Sequence, residues 1–287
     1  MAVLIGTVLL AYVPGVRAIS HALPPQSALK FLARLGGVLV VLGAYTALIR
    51  IGEGRKASEI AVAFAPKGLL AGLAIGAILF SAVMAVLVGT GVYDFTWHGP
   101  ASAWHGAGLA MEAGILEELI VRGILLRLLW RVLGPWVAFA ASAVLFGAGH
   151  IGNPGATPFS TACIAIEAGL MLGSFYALTG RLWVSIGVHA GWNFTQGYVF
   201  GAAVSGGDLG DAIATSAPTG NYPDWLTGGA FGPEASLPAL AICTSVGVAV
   251  LWLCWRSDRF RQAPGHLCGG YPADDRVRGD GRNSRMA

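Results

Sequence analysis

Between residues 106 and 130 the chain is strongly apolar and free of proline, yet near the middle it carries Glu117, Glu118 and Arg122. A helix of this character suits lipid, where ionised groups are costly unless they have partners or a task. The spacing separates their roles. Glu118 and Arg122 stand four residues apart, on one face and in the favourable acid-before-base order, so they can pair. Glu117 is turned about 100° from Glu118, at about 3.6 residues per turn, and faces elsewhere. That unpaired carboxylate is the leading candidate for chemistry.

The rest of the chain supplies the company such a helix needs. Of its 287 residues 55% are hydrophobic and only 11% charged, which lies outside the balance of soluble globular domains. Apolar runs cover residues 2–13, 31–51, 68–92, 136–151, 159–178, 182–200 and 236–255, besides the Glu-Glu-Arg helix itself. They predict an all-α fold, a polytopic transmembrane helical bundle of about eight spans. The integral membrane domain would occupy residues 1–255, with its motif core at 106–200, and the Arg-rich tail at 256–287 would be disordered. Leu133, Gly134 and Pro135 should close the charged helix, and Gly152, Asn153, Pro154 and Gly155 the next.

The links holding Arg55, Lys56 and Lys67, Arg127 and Arg131, and Arg181 fall on one side, which the positive-inside tendency makes cytoplasmic; Arg17, Lys30 and Arg34 count against it. The expected location is the plasma membrane of a prokaryote. Tryptophans near span ends (Trp97, Trp104, Trp130, Trp183 and Trp255) read as an interfacial belt. The net charge of +3 is not organised as a basic patch among aromatics, so no nucleic-acid partner is expected. Cys163, Cys243, Cys254 and Cys268 lack paired spacing and read as small core residues, without a disulfide framework or zinc site.

Two further polar clusters lie in the same half of the chain. Phe146 precedes His150 by four residues at the end of a span, and His189 and Asn193, also four apart, share a helix face. Measured at about 1.5 Å per residue from the cytoplasmic ends, Glu117 lies roughly 21 Å in, His150 roughly 22 Å, Asn193 roughly 18 Å and His189 roughly 12 Å. One shared pocket is compatible with these depths. A carboxylate and an imidazole aimed at one water can take its proton. A second imidazole and an amide on one face can hold the charge that develops on a carbonyl oxygen. The reaction implied is amide hydrolysis by activated water within the membrane.

Structural alternatives exist for each cluster: an ion-paired brace, a helix-end histidine meeting loop carbonyls, and interhelical hydrogen bonds in lipid. Glu117, Glu118, His150 and His189 are also chemically suited to a transition metal. Glu167 is a further intramembrane carboxylate with no role in any of the clusters.

The three clusters, in this order and on this hydropathy pattern, resemble the CPBP family of intramembrane glutamic endopeptidases. That family includes the type II CAAX prenyl endopeptidases and bacterial abortive-infection and bacteriocin-immunity-like proteins. Its Glu-Glu-x-x-x-Arg stands here as Glu117, Glu118 and Arg122, its Phe-x-x-x-His as Phe146 and His150, and its His-x-x-x-Asn as His189 and Asn193. The resemblance implies that Glu117 and His150 activate the water, that His189 and Asn193 form the oxyanion site, and that Glu118 and Arg122 support them. It further implies a mechanism without metal or cofactor. The partners are then the lipid bilayer and a peptide or protein substrate, membrane-associated or lipidated, with Cys-a-a-X processing as the branch best known. The competing class is a non-hydrolytic membrane protein, an immunity-type partner or a proton-coupled transporter, using the same polar cavity. The chain has no internal repeat of the kind that marks many transporters.

Overall fold

The structure, a computed structural model, describes residues 22–261 except Pro25. The apolar run at residues 2–13 and the tail beyond residue 261, with Cys268, lie outside the described residues. The fold is all-α and membrane-type, with five helical stretches among the described residues long and apolar enough to cross a bilayer.

Helix α1 (Ala28–Glu53) begins at Ser27, whose hydroxyl accepts from the Lys30 amide, and ends at Gly54 in the left-handed region. Two 3-10 turns, Ser58–Ile60 and Val62–Phe64, lead into α2 (Ala65–Gly89). Helix α3 (Trp104–Glu118) runs through a π-helical segment, Leu119–Leu126, into α4 (Arg127–Ala148). This 45-residue stretch is two spans folded at Gly134, whose φ of 78° and ψ of 170° no helix accommodates, with Pro135 behind it. The expected turn at Leu133, Gly134 and Pro135 is therefore present. Helix α5 (Pro158–Ile164) starts from a reciprocal cap between Thr157 and Ser160, then continues through a second π turn, Ala165–Gly169, into α6 (Leu170–Thr179). Helix α7 (Leu182–Phe194) ends in a third π turn, Thr195–Val199. A short helix α8 (Asp224–Thr227) precedes the last span, α9 (Leu237–Arg256). A ribbon departs from the helical pattern: β1 (Tyr93–Trp97) pairs antiparallel with β2 (Ala214–Pro218), Tyr93 opposite Pro218.

Small residues bring the helices together. Along α2, Gly68, Gly72 and Gly76 recur every four residues and meet α7 at Trp183, Gly187 and Val188. Lipid offers no hydrophobic drive between helices, so association rests on close backbone contact of this kind. The face of α7 opposite α2 meets Gly114 of α3, where a Cβ would lie 3.1 Å from the Ile186 carbonyl and 3.2 Å from the Ala190 amide. Gly147 of α4 and Gly169 admit the α4–α5 contact in the same way, against Ala165 and Ala143. All three motif-bearing segments are thus drawn to one place.

The basic links do share one end of the bundle. Arg127 forms two hydrogen bonds with Glu53, at 2.7 and 2.6 Å, Arg131 is 3.6 Å from the same carboxylate, and Arg55 donates to Glu59 at 2.8 Å. Arg181 donates to the Ser58 carbonyl at 2.6 Å and lies over the Phe64 ring at 3.7 Å. The belt expectation needs correction at two positions. Trp97, Trp104 and Trp255 are exposed, but Trp130 and Trp183 are buried at 4% and 6%. Trp183 donates its indole N–H to the Ala61 carbonyl at 3.0 Å, and Trp130 packs on Phe139 and Phe260. Cys163, Cys243 and Cys254 are free and buried, as small core residues are.

Replacing Gly187 with Val should force α2 and α7 apart, because a Cβ there already lies 2.7 Å from the Leu69 carbonyl and 2.8 Å from Gly72 Cα. Loss of folded yield and a lower melting temperature in detergent are expected. Gly43→Val, where nothing lies within 4 Å, should leave both unchanged in the same assay.

Candidate active site

Arg122 is the point at which the motifs meet. Its guanidinium is 1% exposed and donates to Glu118 Oε1 at 2.7 Å, along one helix face as the spacing requires. The other side of the fork donates to the Ala168 carbonyl at 2.7 Å, in the π turn of the neighbouring span. The plane lies over the Phe146 ring, 4.5 Å from its centroid. One cation therefore binds the Glu-Glu-Arg segment to α4 and to the α5–α6 span. Such a charge persists in a dry interior only when its donors are used.

Phe146 links the two histidines. Its ring makes an edge contact with His150, centroids 4.9 Å apart, and another with His189 at 6.3 Å. The Phe146 carbonyl accepts from His150 Nδ1 at 2.9 Å. A carbonyl can only accept, so the proton sits on Nδ1 and Nε2 is left available.

His189 is held from the other side. Its Nδ1 lies 3.2 Å from Glu118 Oε1, and its Nε2 lies 3.9 Å from Glu117 Oε2. Glu118 therefore serves both Arg122 and His189. The Glu117 side chain is 35% exposed against 11% for His189, so the carboxylate is the more accessible of the two. Glu117 Oε2 itself is buried and makes no hydrogen bond among the described residues.

Behind this pair a cavity is lined by His150, His189 and Asn193, together with Glu167, Ser205 and Glu234. The structure thus gathers His150, His189 and Asn193 around one space, with Glu117 reaching it through His189. Among the described residues no three His, Cys, Asp or Glu side chains are grouped to hold a metal ion.

Three polar residues of the site escaped the motif reading. Glu167, on the second π turn, is 2% exposed and lines the cavity. Glu234 belongs to the long link after α7, which composition reads as an outside loop, but it is 3% exposed. The Ser205 amide and hydroxyl donate to it at 2.7 and 2.8 Å, with Ser205 held at a φ of 48°. Burial pushes the Glu234 carboxyl up, and the hydrogen bonds from Ser205 oppose that shift without cancelling it. Gln196 accepts from the Trp192 indole at 2.9 Å and donates to the Ala203 carbonyl at 2.5 Å, fastening the link over the cavity. Its place seven residues after His189 puts it on the same helix face, a signal present in the sequence. Nothing of the kind marks Glu234, which sits in irregular backbone.

Arg122→Met should leave Glu118 without its guanidinium partner among the spans, at a cost of about 3–5 kcal/mol. A denaturation midpoint in mixed micelles measures this, and the double change Glu118→Leu with Arg122→Met should recover much of the loss.

The motifs and their geometry agree with comparison to known families. Residues 98–195, about a third of the chain, match the family described as Rce1-like, type II CAAX prenyl endopeptidase Rce1-like. No curated protein and no solved structure matches the chain. The matched segment holds Glu117, Glu118, Arg122, Phe146, His150, His189 and Asn193. In that segment the chain is similar to the Rce1-like family of type II CAAX prenyl endopeptidases.

Proposed function

We propose that the protein is a metal-independent glutamic endopeptidase that hydrolyses a peptide bond at the mouth of this cavity. The observation that carries the reading is the meeting of Glu117, which makes no hydrogen bond through its buried Oε2, with the His189 imidazole 3.9 Å away and with His150 and Asn193 on the cavity behind it. Water held between Glu117 and His150 Nε2 gives up a proton to this pair as its oxygen attacks the scissile carbonyl carbon. The carbonyl π electrons move to oxygen. When the tetrahedral intermediate collapses, the C–N bond breaks and the proton passes to the leaving amine. Products are a carboxylic acid and an amine, with no cofactor consumed.

His189 and Asn193 are assigned to the oxyanion. Glu118 is an acceptor, so His189 Nδ1–H donates to it, and a donor at Nε2 as well makes the ring an imidazolium. Two carboxylates, Glu117 and Glu118, face that ring, and Arg122 offsets the second of them. The quartet is then neutral overall, which suits a site surrounded by apolar helices. Asn193 adds a neutral donor one turn on. Preorganised donors of this kind act on charge that exists only in the transition state.

The substrate proposed from the family is a membrane-associated protein, cleaved near a prenylated Cys-a-a-X terminus, and the membrane is proposed to be a prokaryotic plasma membrane. Detergent-purified protein should produce new termini in a mixed pool of membrane proteins and prenylated peptides, read by mass spectrometry. Glu117→Gln should reduce cleavage by about 100-fold or more, and chelator should have no effect. Loss of cleavage with chelator would transfer the water activation to a metal. Absence of cleavage across the whole pool, with retention of uncleaved protein, would favour an immunity-type binding role. Asn193→Ala should lower kcat by about 100-fold with KM nearly unchanged. A rise in KM at constant kcat would instead make Asn193 a binding group.

A further inference from the structure

Arg127 stands in the sequence as one more basic residue at a span end, yet it is 1% exposed and all three nitrogens of its guanidinium donate. Nη1 and Nη2 go to the Glu53 carboxylate, and Nε goes to the Gly123 carbonyl at 2.8 Å. Its backbone bond is as unusual. An α-helix brings each amide to the carbonyl four residues back, which for Arg127 is Gly123. Here the Arg127 amide turns to the Arg122 carbonyl, five residues back, and to that of Ile124, closing the π segment Leu119–Leu126. The Gly123 carbonyl that this amide passes over receives the Arg127 side chain in its place. On its other flank the Tyr45 hydroxyl of α1, 2% exposed, lies 3.1 Å from the same carbonyl and 2.5 Å from Glu59 Oε1, and its one proton is shared between these acceptors. Gly123 admits the phenol, since a Cβ there would lie 3.2 Å from the Tyr45 hydroxyl oxygen.

A carbonyl released from the helix ladder inside a membrane bundle has no water to turn to and needs donors from the protein. Arg127 and Tyr45 supply them, and thereby hold open a π turn that otherwise relaxes to α-helix. Relaxation would take up one residue, about 100° of rotation, between Arg127 and Glu118. Arg127 is fixed to Glu53, so the rotation would fall on the other side of the turn and swing Glu117 and Glu118 away from His189, from which they now stand 3.9 and 3.2 Å. We propose that Arg127, assisted by Tyr45, is a positioning residue for Glu117, holding the π turn that aims the carboxylate into the site. This rests on the endopeptidase reading of Glu117. Arg131 supplies the contrast: 3.6 Å from the same Glu53 carboxylate, with a side chain 42% exposed, it has no bond to the π turn among the described residues.

Arg127→Lys keeps the charge beside Glu53 but loses the rigid fork that serves the carboxylate and the Gly123 carbonyl together. It should lower kcat about tenfold with KM unchanged, because a misaimed group costs rate more than binding; Arg131→Gln should leave both unchanged. In a Glu117→Gln background Arg127→Lys should cost nothing further, since the group it aims is gone, whereas a mere loss of folded protein would lower the residual rate equally in both backgrounds. An undiminished kcat in Arg127→Lys, or equal losses in the two backgrounds, overturns the proposal and leaves the peptidase standing. Should Arg127→Lys not accumulate as folded protein, Tyr45→Phe removes the other donor and keeps the ring. It should lower kcat about threefold, again only where Glu117 is present, and a wild-type kcat overturns the proposal. If wild type cuts nothing, the peptidase reading fails on its own, and the hold on the π turn is read by amide hydrogen exchange in the full chain. Exchange in residues 119–126 should then be at least about tenfold faster in Tyr45→Phe than in wild type, with α7 unaffected. Equal exchange in both proteins overturns the hold.

Discussion

The site depends on a single buried guanidinium. Arg122 has no water to turn to, so each face of its fork must find a partner, and the partners come from three segments: Glu118 on its own helix, the Ala168 carbonyl on the next span but one, and the Phe146 ring between them. Removing any of these would leave charge or donors stranded in a medium that cannot solvate them. The interaction thereby fixes the relative placement of the motif-bearing elements. Glu117, next to Glu118, makes no hydrogen bond to Arg122 and is the carboxylate proposed to meet a substrate.

Glycine makes this arrangement reachable. Ion pairing and edge contacts act over a few ångströms, so the helices that carry them must approach almost backbone to backbone. Gly72 and Gly187 allow this between α2 and α7, and Gly114 allows it between α3 and α7 one turn before Glu117. The three π-helical segments then adjust the side chains around the cavity. One follows Glu118 and contains Arg122, one contains Glu167, and one follows Asn193 and contains Gln196. A widened turn shifts the rotation of everything beyond it, and such turns concentrate at functional sites.

Most of the helices were legible because lipid imposes long apolar runs and tolerates few charges within them. The run expected at 182–200 appears as α7 and its π turn, and the break at Gly134 and Pro135 stands where the residues demand it. Facing was less legible. Trp130 and Trp183 sit near span ends as belt residues do, but hydropathy does not say which side of a helix meets a neighbour, and both turned inward. The pairing of Glu118 with Arg122 was readable from spacing, whereas the sharing of Glu118 with His189 was not, because the two lie 71 residues apart and meet only when α3 packs on α7.

By itself, then, the chain's pattern of residues determined that it is a helical membrane protein, where most of its helices begin and end, and which polar residues stand inside its apolar spans. Those properties follow from local periodicity and from the cost of charge in lipid. Only the tertiary structure decided that Glu234 is buried and that Glu167 joins it on the cavity wall. The link from residue 201 to 236 has no periodicity to announce its path, and its route is set by distant contacts such as Ser205 with Glu234 and Gln196 with Ala203. Burial of a loop carboxylate arises from chain closure over the bundle, which local sequence does not encode.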